Sequence, residues 1–264
     1  MTIDLAIIGG TGYYHPQLME NPREITVETK YGKVPLITGR HGQKTVAFMP
    51  RHGENHQLAP HKINYRANIA ALKELGTRRI LSTTAVGSLT ETLPPGTLVI
   101  IDQFIDLTKN REHTYFDGED GEVWHTDFTE PYCVQLRNHL DTLLQKKGVP
   151  YGSKGTYICT EGPRYETPAE IKAYSTWGAD VVGMTNVPEV TLARELGLCY
   201  ATLSLVTNLA AGVSPHPLTH KEVVDMMNEK ISLIRDLFME LLESIPAERH
   251  CNCWSKEDIT LGGA

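Results

Sequence analysis

The sequence predicts a three-layer α/β domain. Three observations carry that expectation. Short apolar runs rich in Val, Ile and Thr alternate with helical patterns, the order that builds a sheet covered by helices. Several runs are apolar nearly throughout, as strands buried on both faces are. The chain has 264 residues, 41% hydrophobic and 22% charged, which suits one large domain or two small ones with an ample core.

Strands are expected at LAIIGG (5–10), KTVAFM (44–49), RRILSTTAVG (78–87), TLVIIDQF (97–104), GTYICTEG (155–162), ADVVGMT (179–185) and CYATLSLVTN (199–208). A helix over 64–76 ends in Gly76 and one over 132–148 ends in Gly148, both suited to a left-handed C-terminal cap. TPAE (167–170) is a capping box, with Thr167 as N-cap, Pro168 at the first helical position and Glu170 reaching back. THKE (219–222) repeats the pattern before a long helix whose apolar residues run from Val223 to Ile245. The chain is read as one domain over 1–264, with 246–264 an irregular, loosely held tail.

The formal net charge is −7, which argues against nucleic-acid and anionic-membrane partners, since both are polyanions. MTIDLAIIGG lacks the basic and long apolar regions of a signal peptide, and no apolar run reaches the ~18 residues of a membrane span. A soluble cytoplasmic protein is expected. The five cysteines are odd in number and scattered, so no disulfide framework is expected. Cys133, Cys159 and Cys199 read as small core residues. Cys251 and Cys253, in C-N-C, could bind metal, close a strained disulfide, or do neither.

Ligands of such sheets bind beyond the carboxyl ends of the strands. GGTGYY follows the first run; its glycines let backbone N–H groups approach an anion, and Thr11 adds a hydroxyl. It is neither a dinucleotide fingerprint, since His15 stands where the third glycine belongs, nor a P-loop. PRHGENH follows the second run. Arg51 offers a planar fork to a phosphate and His52 a further donor, although Arg51 would serve equally in a salt bridge. His52, Glu54 and His56 imitate the zinc signature H-E-x-x-H, but the Glu is one place wrong and Gly53 and Pro60 oppose the helix. Thr83, Thr84, Ala85, Val86, Gly87 and Ser88 suit an anion or sugar. Tyr165, Glu166, Met184, Thr185 and Asn208 follow later strands. Together they describe an anion half and a flat-heterocycle half.

IIGGTG, PRHGENH with NYRANIAALKELG, TTAVGSL, IDQFIDLT, EGPRYET, WGADVVGMTNVPE and ATLSLVTN resemble the trimeric purine nucleoside phosphorylase and methylthioadenosine phosphorylase family over roughly residues 3–245. The resemblance implies a single α/β domain with a mixed, twisted sheet, and a metal-free, cofactor-free phosphorolysis of nucleoside to base and sugar 1-phosphate. It implies that Thr11, Arg51, His52, Thr84 and Ala85 hold phosphate, and that Tyr165, Met184 and Thr185 hold base and sugar. His125, in EVWHTDF, resembles the segment that a neighbouring subunit lends, which implies a homotrimer. His220, with Val223 near it, resembles the residue that meets a 5′-hydroxyl. Some heat-adapted relatives close a C-terminal Cys-x-Cys disulfide.

Relatives acting on adenine carry Asp at the position of Asn208 and again two residues on, where this chain has Ala210; those acting on hypoxanthine and guanine resemble this chain. The chemistry agrees. Ionised Glu166 only accepts, so it fits the N1–H of a 6-oxopurine, while the Asn208 amide donates to O6 and meets N7. Glu166, Asn208 and His52 are therefore the expected catalytic residues, and inosine and guanosine the expected substrates. The remaining readings are a methylthioinosine or methylthioadenosine phosphorylase, a nucleotide-binding Rossmann-like protein, and a silent purine binder. HGENH after Arg51 follows the methylthioadenosine branch, whereas Glu166 and Asn208 follow the other.

Overall fold

The computed structural model describes residues 2–10, 19–53, 55–119, 121 and 123–253. Among the described residues, eleven strands form one mixed sheet. Its centre is parallel: β1 (Leu5–Gly9) lies between β4 (Lys44–Pro50) and β5 (Arg79–Ser88), and β5 also pairs along its length with β11 (Cys199–Leu209). Beyond β5 follow β10 (Val181–Gly183), β9 (Thr156–Thr160) and β7 (Gln103–Leu107). β6 (Leu98–Ile100) pairs β11 and the short β8 (Tyr151–Gly152).

The three-layer expectation holds, and the alternation along β1 shows why. Ala6 and Ile8 pack with α1 (Tyr65–Glu74) and α4 (Asn186–Glu195) on one face, whereas Leu5 and Ile7 pack with α2 (Val134–Lys147) and α5 (His220–Ser244) on the other. Both faces of the strand are dry, so no polar residue interrupts it. The capping box opens α3 (Pro168–Thr176) as read, with both hydrogen bonds made. At α5 it is half made. Thr219 accepts from the Glu222 N–H, but the Glu222 carboxylate takes the Thr219 hydroxyl, not the cap's backbone N–H.

Four features depart from the sequence reading. The run 97–104 is two strands, because β6 pairs β11 while β7 pairs β9. The antiparallel hairpin of β2 (Glu20–Thr29) and β3 (Gly32–His41) was not anticipated; β2 is an edge strand whose side chains face largely outward, so it carries no apolar run. α4 was also missed, since Pro188 and the buried acid Glu189 mask its apolar stripe. The tail is tied down through residue 253, not loose. Nη2 of Arg79 donates to the carbonyls of Pro246, Ala247 and Glu248 at 2.7–3.1 Å, and Cys253 is buried. Among the described residues no helix is long and apolar enough to cross a membrane.

Candidate active site

A cavity of about 430 Å³ opens beyond the carboxyl ends of β1, β4, β5 and β11, within the range of small-molecule sites. Of the residues expected there, Arg51, His52, Thr84, Ala85, Tyr165, Glu166, Met184, Thr185, Asn208, His220 and Val223 line it. Thr11 lies outside the described residues. His125 does not line it; it is exposed, on the same segment as Val123 and Trp124, which are also exposed.

Arg51 follows β4 and is fully buried. Its Nε and Nη2 donate to the two carboxylate oxygens of Glu189 at 2.8 and 2.9 Å, Nη2 also donates to Ser82 Oγ, and Nη1 donates to the Thr83 carbonyl. Four of the five guanidinium N–H groups are thus committed, and one on Nη1 remains. A Cβ at Gly10 would lie 2.9 Å from that Nη1, so only glycine leaves the approach open. Burial alone would weaken the charge, but Glu189 holds the guanidinium protonated. Glu189 is itself buried, bound also by the hydroxyls of Tyr200 and Ser82.

His52 stands 2.8 Å from the Leu58 carbonyl through Nδ1. A carbonyl only accepts, so Nδ1 carries the proton. Burial first, then the Arg51 charge, push its pKa down to about 4. The ring is therefore neutral near pH 7, and Nε2 presents a lone pair. This corrects the expectation of a second donor: neutral His52 can accept a proton-bearing oxygen of monohydrogen phosphate. His56 packs beside it, ring centroids 4.4 Å apart, and His220 lies 6.0 Å from His56. Among the described residues, His52 and His56 belong to no group of three metal-ligating side chains, and Glu54 lies outside the described residues. Thr84 exchanges a 2.8 Å hydrogen bond with Ser204.

The opposite wall carries the carboxylate and the amide. Glu166 is buried, and its Oε1 accepts from Thr160 Oγ1 at 2.7 Å. Burial pushes its pKa up, against the lowering by Thr160. Asn208 owes its position to a bulge in β11. Val206 opposes Val86 and Asn208 opposes the next residue, Gly87, leaving Thr207 unpaired in register. Neighbouring strand residues normally face opposite sides; the bulge lets Thr207 and Asn208 both face the cavity. Thr207 Oγ1 donates to Asn208 Oδ1 at 2.8 Å, and Asn208 Nδ2 donates to the Leu209 carbonyl at 3.0 Å. These two bonds fix which end of the amide is which and leave one Nδ2 hydrogen for a ligand. Gly87 makes room, since a Cβ there would meet Nδ2 at 3.2 Å. Tyr165, 38% exposed, forms an aromatic edge at the mouth.

Sequence reasoning missed the residues that position these groups: Glu189, Ser82 and Tyr200 behind Arg51, Thr160 behind Glu166, and Thr207 beside Asn208. It also missed Arg111, which donates to the carbonyls of Met184, Val187, Thr160 and Glu161 and so ties the ends of β9 and β10 together. Only Thr207, adjacent to Asn208, left a local signal.

Known proteins resemble this chain over nearly its whole length. The family described as "Phosphorylase superfamily" matches residues 4–243. A protein of Dictyoglomus turgidum named "Probable 6-oxopurine nucleoside phosphorylase" is 59% identical, covering 94% of each chain. The "6-oxopurine nucleoside phosphorylase" of Pyrococcus furiosus is 52% identical over 94% of this chain and 96% of its own. Among solved structures, methylthioadenosine phosphorylase from Schistosoma mansoni in complex with adenine superposes with a TM-score of 0.89 at 33% identity, over 94% of this chain and 93% of that one.

Proposed function

The chain belongs to the phosphorylase superfamily, and we propose that its cavity binds a 6-oxopurine nucleoside across from inorganic phosphate. Its reaction is the phosphorolysis of inosine and guanosine to free base and ribose 1-phosphate. The observation that carries this reading is the pairing of buried Glu166, an acceptor, with the amide of Asn208, whose orientation is fixed by Thr207 and Leu209.

As the bond to N9 breaks, the ribosyl group gains positive charge and the purine negative charge. Phosphate held by the free N–H of Arg51, by Thr84 and by Nε2 of His52 faces the ribosyl centre and attacks it. Asn208 donates to O6 or N7 as that side of the ring becomes anionic. Glu166 accepts the N1–H. No covalent enzyme intermediate is required; positioning and fixed dipoles carry the rate. Thr11 completes the phosphate set. Met184 and Thr185 lie under the sugar. His220 meets the 5′-hydroxyl, and a neighbouring subunit of a homotrimer lends His125. The role is cytoplasmic purine salvage, and no cofactor takes part. A methylthio sugar is the second reading, favoured by apolar Leu218 and Val223 flanking His220 in the cavity wall.

Incubation with inosine, adenosine, methylthioinosine and methylthioadenosine, each with and without phosphate, tests this by release of free base. Inosine is expected to be cleaved far faster than adenosine, and only with phosphate. Phosphate-independent release would overturn phosphorolysis; preference for an adenine nucleoside would overturn the base reading; preference for methylthioinosine would overturn the role of His220 alone.

The raised pKa of Glu166 adds a pH signature. The ionised form accepts N1–H of inosine, while the protonated form presents a donor that fits N1 of adenosine. Because burial raises this pKa, protonation sets in at a higher pH than for an ordinary glutamate. The ratio of kcat/KM for inosine to that for adenosine, in which the ionisation of phosphate cancels, should therefore fall as pH falls. Glu166→Gln should flatten that dependence. A ratio constant with pH in the unmodified enzyme would remove Glu166 from base recognition.

A further inference from the structure

At the end of the sheet away from the cavity, four cysteines meet. Cys133 is the N-cap residue of α2, Cys199 begins β11, and Cys251 and Cys253 come from the tail. Their sulfurs all lie within 4.8 Å of one another, with Cys199 and Cys251 at 3.3 Å. Three of the residues are buried and Cys251 is half-buried. Cys133 and Cys199 are therefore not isolated core thiols, as the sequence suggested, but half of a cluster closed by C-N-C.

We propose that these four cysteines form a structural tetrathiolate site for a thiophilic divalent cation, zinc by preference. Thiolate–zinc bonds of about 2.3 Å at tetrahedral angles set the sulfurs about 3.8 Å apart, all four mutually close. Two disulfides would need closeness only within each pair. Mutual closeness of all four is what a single metal ion demands. Binding converts four thiols and one zinc ion into a complex of charge −2 and four released protons.

The surroundings suit that charge. The positive end of α2 faces Cys133, which is the N-cap residue and makes no side-chain capping hydrogen bond. Arg249 Nη1 lies 4.0 Å from Cys199 Sγ. Arg194 donates to the Asn252 carbonyl, between the two tail cysteines, and Arg79 holds the carbonyls of Pro246, Ala247 and Glu248 just before them. Three arginines thus order the loop that delivers Cys251 and Cys253, as hydrogen bonds behind the ligands order structural metal sites.

The role is stability, not chemistry. All four positions are filled by protein, which leaves none open for substrate. Cys199 and Asn208 stand at opposite ends of β11, about 30 Å apart at ~3.3 Å per residue. The site would staple the tail to α2 and to the central strand.

The test is elemental analysis of the full-length protein, expressed with zinc and purified under a reductant without chelator, together with intact mass in denaturant. One zinc ion per chain is expected, released when a mercurial titrates the thiols. Cobalt replacement should give the thiolate-to-metal charge-transfer absorption of a tetrahedral sulfur site. A variant carrying Cys251→Ser and Cys253→Ser should lose the metal and melt at a lower temperature, yet keep kcat/KM for inosine within about twofold of the parent. Metal-free protein with four freely alkylated thiols would overturn the proposal. So would a mass lowered by the hydrogens of two disulfides with no metal bound. Should the double variant fold poorly, metal content and mass of the unmodified protein decide alone.

Discussion

Glu189→Ala is expected to raise the KM for phosphate and to lower kcat/KM for inosine phosphorolysis by about 10²-fold or more, the scale on which misplacing a reacting group acts. Glu189 never reaches the cavity wall. It holds two edges of the Arg51 guanidinium through a bidentate pair in which both partners are fully buried. Only one guanidinium N–H is left to face a ligand, and its direction depends on the others being occupied. Removing the carboxylate also strands a buried cation, which costs about 3–5 kcal/mol of stability. At about 2–4 °C per kcal/mol in a chain of this size, the melting temperature should fall clearly. Glu189→Gln separates the two effects. It keeps the volume and one acceptor but turns an NH2 group toward Arg51, so the fold should survive at moderate temperature while phosphate affinity stays weak. Measured well below the melting point, a normal KM for phosphate in either variant would show that Glu189 is a packing residue only.

The contrast between Arg51 and Glu189 explains what the sequence discloses. Side chains that face a ligand lie in the carboxyl-terminal halves of strands or beyond them, and strands are visible as apolar runs; Arg51, Thr84, Glu166 and Asn208 were found that way. Glu189 reaches Arg51 across the fold, from 138 positions away, and spacing along the chain says nothing of that. Thr160 is near Glu166 in sequence, but the irregular turn between β9 and α3 has no period that would pair them. The same limit hid the cysteine cluster, whose members sit on three elements. It hid the tautomer of His52 as well, because the Leu58 carbonyl that decides it belongs to an irregular loop. The central strands were legible because burial on both faces leaves a continuous apolar text. The β2–β3 hairpin was not, because its edge strand is mostly solvated. The family resemblance supplied the mixed character of the sheet, which the apolar runs alone leave open.

Asn208→Asp is expected to lower kcat/KM for inosine by about 10²–10³-fold, the usual cost of losing one donor to a developing anion. The new carboxylate keeps the hydrogen bond from Thr207 but loses the one to Leu209, and sets an oxygen against that carbonyl and against O6 of the purine. Adenosine, with an amino group at C6 and a free N7, should gain. The gain should be incomplete, because ionised Glu166 still faces the N1 lone pair of adenine. Adding Glu166→Gln supplies an amide that can donate to N1. The two residues read neighbouring edges of one ring, so their effects should not add. In the double variant the rise for adenosine should exceed the product of the two single changes, whereas the losses for inosine should combine to less than their product once the ring is no longer held. A double-mutant cycle on both nucleosides measures this directly. Independent, additive effects would mean that Glu166 and Asn208 do not contact the same base, and the assignment of the 6-oxopurine pocket would fall with them.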